Sequence, residues 1–266
     1  QAINTASGTA TVAGGAVLLE ADGSIAITNN GTTQLGSITT TGNTSGKGGE
    51  VFIHHTNVVV GKDITLTGNS AGTVISAKGG ATGDGGVVTL LNDAGNLVVN
   101  GGIDVSGPSL TDGTIQLQAN GAITGKGNLV GDTTGTLMAR TTGTSGTQNI
   151  SLTGNTTGTA GTKASNTGNA MANAVFATAT SGDGSITYYE STGLTIDKVS
   201  ATGALTSPAS KASNSVTATS GITTVAGGTN GALVIAAGNT SGAGLTVTQA
   251  INTASGTATV AGGAVL

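Results

Sequence analysis

The 266-residue sequence has no cysteine, no tryptophan and only two prolines, with 8% charged and 2% aromatic residues. Each scarcity excludes something. Without cysteine there is no disulfide framework and no thiolate metal site. Lysine and arginine total 8, and Arg140 is the one arginine. No basic stripe is available for phosphates, so nucleic acid is not an expected partner. No apolar run reaches the ~18 residues that a spanning helix needs, so no membrane span is expected. Ordinary soluble domains are roughly 25% charged. Scarce Glu, Lys, Leu and Arg also remove the best helix formers. The strongest helical candidate is Asn169–Thr180, NAMANAVFATAT.

What remains is glycine, threonine, serine, asparagine and small aliphatics. There are 48 glycines and 36% hydrophobic residues, with a formal charge of −4. Disordered chains share the lack of aromatics but have few aliphatics. This chain carries enough Val, Ile, Leu and Ala to bury a thin core. The aliphatics alternate. In Gly113–Asn120, Ile115, Leu117 and Ala119 share one face, while Thr114, Gln116 and Gln118 share the other. Period two predicts a short strand with one buried face. The pattern recurs at Ile25/Ile27, Val51/Ile53, Ile64/Leu66, Leu97/Val99 and Ile103/Val105. It returns at Ile150/Leu152, Ile186/Tyr188, Leu194/Ile196 and Leu245/Val247. Expected core residues therefore include Ile64, Leu66, Ile115, Leu117, Ile150 and Leu152.

Repetition runs at two levels. The stretch QAINTASGTATVAGGAVL occurs at Gln1–Leu18 and again, unchanged, at Gln249–Leu266. Internal repeats are the first thing to settle, because they dictate the architecture. The expectation is one repeat unit over residues 1–248, with 249–266 the start of the next identical unit of a longer tandem array. On that expectation Gln1 is a cut point and not an initiator. Within the unit, Asp63–Gly72 (DITLTGNSAG), Asn149–Gly158 (NISLTGNTTG) and Ser37–Gly46 (SITTTGNTSG) share one form: an alternating strand, Gly-Asn, small polar residues, Gly. The Gly-Asn pairs at Gly42–Asn43, Gly68–Asn69 and Gly154–Asn155 are expected to be structural turns. There Gly takes positive φ without a Cβ penalty, and Asn bonds nearby backbone. Glycines also precede strand starts at Gly23, Gly49, Gly72, Gly86, Gly113, Gly135, Gly184 and Gly231. Most of these gaps lie near 25 residues or twice that, which predicts about 10–11 coils per 248-residue unit.

A module of two or three short strands cannot close its own core, and stacking on neighbours solves this. The expected fold is all-β: a parallel β-helix, or β-solenoid, with strands paired ~4.8 Å apart along the axis. Equivalent aliphatics stack from coil to coil, and Asn43, Asn69 and Asn155 are placed for amide ladders at corners. Immunoglobulin-like sandwiches want longer strands and a buried aromatic core residue, which this composition does not supply.

Repeated Gly-[Thr/Ser]-[Val/Ile/Leu]-x-[Leu/Ile], followed by Gly-Asn and Gly-x-Ile, resembles filamentous-haemagglutinin-type adhesins. The nearest stretch is Gly113-Thr-Ile-Gln-Leu-Gln-Ala-Asn-Gly-Ala-Ile; Gly85–Gly107 is similar. The resemblance implies a right-handed β-helix shaft at a bacterial cell surface, often exported by a dedicated outer-membrane partner.

Candidate sites are few. His54 and His55 are adjacent on a strand, point to opposite faces and cannot hold one ion together; a structural or solvent-facing role is expected. Asp84, in Gly83-Asp-Gly-Gly, lacks the tandem Gly-Gly-x-Gly-x-Asp of calcium-binding repeats. Asp183, Glu190 and Asp197, with Lys198 and Tyr188–Tyr189 nearby, form the densest acidic set. Glycoside hydrolysis needs two carboxyls at catalytic separation, and this set reads instead as a solvated patch or a carbohydrate contact. No catalytic residue, cofactor or metal site is assigned. The expected function is a structural segment of a long secreted protein that forms an extracellular filament or adhesin shaft. Its expected partners are copies of itself and surface carbohydrate. The alternative is a carbohydrate-binding or carbohydrate-cleaving β-helix domain.

Overall fold

The computed structural model describes residues 1–29, 36–57, 60–68, 72–108, 111, 113–131, 133–144, 148–155, 168–178, 184–199, 219–223, 232–238, 244–253 and 265–266. Its elements are all strands. The chain opens with Ile3–Asn4 (β1), Ala16–Ala21 (β2) and Ile25–Thr28 (β3), one strand in each of three sheets. It then revisits the sheets in the same rotation. Ile38–Thr39 (β4), Glu50–His55 (β5) and Ile64–Thr67 (β6) make a second round, and Thr73–Ser76 (β7), Val87–Asn92 (β8) and Leu97–Asn100 (β9) a third. The fourth is Gly102–Asp104 (β10), Thr114–Ala119 (β11) and Ile123–Gly125 (β12); the fifth is Leu129–Val130 (β13), Thr136–Thr141 (β14) and Ile150–Leu152 (β15).

Every one of these strands pairs in parallel with its counterpart one round away. Leu117, for example, lies between Leu90 and Ala139. We call the sheets one, two and three in the order β1, β2, β3. Alternation places Ile64, Leu66, Ile115, Leu117, Ile150 and Leu152 in one contiguous buried core fed by all three sheets. Ile stacks on Ile and Leu on Val along each column, which suits stiff β-branched side chains. Leu245 and Val247, expected on a buried face, are exposed in the last round.

Beyond the fifth round the pattern loosens. Asn173–Ala177 (β16) and Ile186–Glu190 (β17) continue sheets two and three. Leu194–Ile196 (β18) pairs with the first half of β16. The chain then leaves as Lys198–Val199 (β19) and returns as Thr219–Ser220 (β20), an antiparallel pair lying against β14 and β16. Ile222–Thr223 (β21) rejoins the second half of β16. Leu233–Ala237 (β22), Leu245–Val247 (β23) and Ile251–Asn252 (β24) complete the described strands. β23 pairs with β18 and β24 with β21, so β18 and β21 together make one interrupted row of sheet two, and β23 and β24 the next.

Four sequence expectations need correction. Asn169–Thr180 holds the strand β16, and its described residues form no helix, because the backbone pairs with β14 residue by residue from Asn173 to Ala177. Pairing outweighs a weak helix preference. Sheet two is buried on both faces: outward-facing Phe52, Gln116, Met138 and Val175 are buried along with the inward column. The coil number is lower than ten or eleven, since sheet two has eight rows over the described residues. Inward residues of sheet three run Ile25, Ile64, Leu97, Ile123, Ile150, Ile186, Leu233. A round thus takes 26 residues from Leu97 to Ile123 but 47 from Ile186 to Leu233. The glycine spacing misled because those glycines precede strands of all three sheets: Gly23 and Gly184 precede sheet three, Gly72 sheet one, Gly113 sheet two.

The turn glycines are the fourth correction. Of Gly42, Gly68 and Gly154, only Gly154 has positive φ, at 58°. Gly42 is needed for close approach, because a Cβ there would strike the Gly46 carbonyl. A Cβ on Gly68 would crowd Gly101 of the next round. Asn43 and Asn155 follow strands of different sheets, so they cannot share an amide ladder. Asn69 lies outside the described residues. Asn43 accepts from Thr44 Oγ1 (3.2 Å), while the Asn155 amide donates to Asn128 Oδ1 (2.8 Å). The side-chain caps that do run between rounds sit just before sheet three. Asp63 Oδ1 accepts from the Asn96 amide at 2.9 Å, and Asn96 Oδ1 from the Ala122 amide at 2.8 Å.

The glycines before sheet two stack directly. A Cβ on Gly86 would collide with the Gly49 carbonyl, and one on Gly113 with the Gly86 carbonyl. Gly23 has nothing within 4 Å of its would-be Cβ. Gly86→Ala should therefore cost about 1–3 kcal/mol, whereas Gly23→Ala should stay within about 0.5 kcal/mol of the parent. Denaturant midpoints of the two variants measure this, and equal midpoints would contradict the stacked-glycine account.

Candidate functional site

Among the described residues sheet one has no named strand after β13, and the interior changes character there. Its inward column is Ile38, Ile75, Ile103 and Leu129. Isolated bridges extend the column by pairing Val130 with Ala170 and Asn169 with Glu190. Two polar side chains thus take up the aliphatic line, and both are wholly buried. Burying such groups is unfavourable unless they are hydrogen-bonded, and these are. Asn169 Oδ1 accepts from the Leu129 amide at 2.9 Å, while its Nδ2 donates to the carbonyls of Leu152 and Tyr189, both at 3.0 Å. The amide thereby serves backbone groups of two neighbouring rounds where the described residues form no full strand of sheet one.

Glu190 ends β17, on the same face as Ile186 and Tyr188. Its Oε2 accepts from the Tyr188 hydroxyl at 2.6 Å and the Met171 amide at 3.1 Å. Its Oε1 accepts from the Thr192 amide at 3.1 Å and the Thr192 hydroxyl at 3.0 Å. Four donors favour the carboxylate, but burial disfavours it more, and the pKa is raised to about 7. Tyr188 is pushed well above the usual tyrosine range, first by burial and then by the Glu190 charge and hydrogen bond. Its ring packs on Phe176 with centroids 5.0 Å apart. Outside this group opens a cleft of ≈ 550 Å³ whose described lining includes Pro108, Thr133, Ala170, Thr192 and Gly193. Thr192 forms part of the wall between cleft and carboxyl. Among the described lining residues none is charged. The arrangement holds the Glu190 carboxyl within the core, and no acid–base pair is found among the described lining residues of the cleft.

This placement corrects the expected acidic patch. Glu190 and Tyr188 belong to the core, Asp197 Oδ1 accepts from Thr248 Oγ1 at 3.1 Å, and Asp183 lies outside the described residues. The histidines do face opposite ways, but neither meets solvent. His54, on the outward face of sheet two, is fully buried. It spans three rounds, with Nδ1 at 3.3 Å from Glu20 Oε1 and Nε2 at 2.8 Å from Asp93 Oδ2. The Phe52 ring meets it edge-on at 5.7 Å. His55 lies in the inward column between Ala21 and Asn92. Among the described residues no group of three or more His, Cys, Asp or Glu is placed to hold a metal ion, and no helix is long and apolar enough to cross a membrane.

No family model matches the sequence, and neither a curated protein nor a solved structure matches it. Function must therefore be argued from the fold and this site.

Glu190 makes stability depend on pH in a defined direction. Its folded pKa, about 7, lies above the ordinary 4.5. The stabilisation from holding it neutral is complete below pH 4.5 and is lost as pH rises through about 7. At ~1.4 kcal/mol per pKa unit, the loss amounts to about 3 kcal/mol. Urea midpoints of the parent and Glu190→Gln between pH 4 and pH 8 check this. The parent should lose stability relative to the variant as pH rises, and a constant difference would contradict the assignment.

Proposed function

We propose that the three sheets wind as a right-handed parallel β-helix, and that this β-helix is a segment of a long secreted tandem-repeat protein. Its role is mechanical: an extracellular filament or adhesin shaft at a bacterial surface, built from copies of this unit placed end to end. The handedness follows from the general rule for parallel strands joined by crossovers in one sheet. The observation that carries the mechanical reading is the fate of the copied stretch. Ile251–Asn252, the repeat of Ile3–Asn4, join the stack as part of a further row. Parallel pairing with a neighbouring row thus holds both copies of these residues, which supports reading the second as the start of a further unit.

Two further features support a shaft. Strands stacked in this way offer their outer edges to further strands, as β21 does to β24. Exposed hydrophobics occur in the first round, at Ile3, and in the last, at Leu245 and Val247. Between the ends the backbone is bonded from round to round, so local opening must break ladders on both sides. Surface carbohydrate remains a proposed contact. The carbohydrate-cleaving alternative loses Tyr188 and Glu190, which are committed to the core.

Denaturing electrophoresis of native material tests the array. A band far above 25.0 kDa is expected. A band at that mass would show separate subunits and overturn the single-chain filament. Protease treatment of intact cells should remove the same band, and its survival would contradict the surface location.

A further inference from the structure

The copied stretch occupies two different places in the stack. Ile3–Asn4 pair with Ile38–Thr39 in sheet one. Their copies, Ile251–Asn252, pair with Ile222–Thr223 in sheet two. Val17 pairs with Val51 in sheet two. Its copy Val265 bridges to Leu233 in sheet three, and Leu266 fixes that register by donating to the Leu233 carbonyl at 3.0 Å and accepting from the Ile235 amide at 3.1 Å. Both parts of the stretch have moved by one sheet, in the direction in which the chain visits the sheets.

We infer that the 248-residue unit does not wind a whole number of rounds: each copy enters the next displaced by one sheet, so successive units are turned by a third of a round about the common axis. The rows between the two copies agree. β1 stands in the first row of sheet one, and β24 completes the eighth row of sheet two. One sequence can sit in either sheet because alternation with period two asks only for an inward column to stack on, and all three sheets offer one.

The inference assigns an interface and its occupant. The edges of β21 and β22 are the seat for the first residues of the following copy, with Ile222–Thr223 receiving the Ile3–Asn4 equivalent and Leu233 the Val17 equivalent. It also sets how the surface repeats along a filament. The Glu20–His54–Asp93 clamp of sheet two would recur on sheet three in the next unit and on sheet one in the one after. Any outward feature would return to its own face at every third unit. A lateral partner reading one face would meet it at three-unit spacing, and a filament would present each feature on all sides.

The consequence for filaments rests on the tandem array proposed above, but the register can be tested within the 266-residue chain. No native cysteine competes for labels. Nitroxides on Thr223→Cys plus Asn252→Cys should show strong spin–spin broadening that disappears in denaturant, because the two are direct neighbours in sheet two. A whole number of rounds would instead return Asn252 to sheet one, beside Ser191, which follows the bridged Glu190. Ser191→Cys plus Asn252→Cys should therefore show no broadening. The opposite pattern, or broadening in neither pair, overturns the inference. A native band at 25.0 kDa would instead sink the array and leave the register standing.

Discussion

Apart from the antiparallel pair β19–β20, each described strand is bonded in parallel to a strand of the neighbouring round, and almost everything else in the structure answers to that pairing. Parallel pairing across rounds lets strands of two to six residues persist, since none has to close a core alone. It aligns like with like. Leu117 lies between Leu90 and Ala139, and Ile64 between Ile25 and Leu97. It also brings backbones so close at the corners that glycine stacks on glycine at Gly49, Gly86 and Gly113. The high glycine content is thus a packing requirement more than a demand for unusual φ.

The same constraint explains the polar interior. Where sheet one lacks a strand, backbone groups of adjacent rounds need other partners, and orphaned buried groups cost about 1–3 kcal/mol each. Asn169 and Glu190 supply those partners from the inward column itself. Their burial is then a repair of the ladder. It has one consequence that an aliphatic column would lack, a carboxyl that titrates near neutrality. On the outer face of sheet two, His54 likewise ties together rounds whose strands are already paired, joining Glu20 of the first to Asp93 of the third.

Much of this was legible in the residues. Period-two alternation identified the strands around Ile64, Ile115 and Ile150 and their inward side chains, because that signal is local. What failed was whatever depends on register between distant segments. The coil count went wrong because a glycine before sheet three reads the same as one before sheet two. Asn169–Thr180 is ambiguous between helix and strand until β14 is laid beside it. Glu190 sits between Tyr189 and Ser191 in a polar stretch and reads as surface; its bridge to Asn169 shows that it faces inward. Asn169 carried no signal of its own, since its role exists only after Leu129 is placed opposite it.

Backbone contacts in solution decide the matter most directly. In a deuterated, amide-protonated sample, nuclear Overhauser contacts from Leu117 should reach Leu90 and Ala139, the residues on either side of it in parallel rows. Contacts of an antiparallel hairpin between Thr114–Ala119 and the next strand in sequence, Ile123–Gly125, would contradict the stacked arrangement.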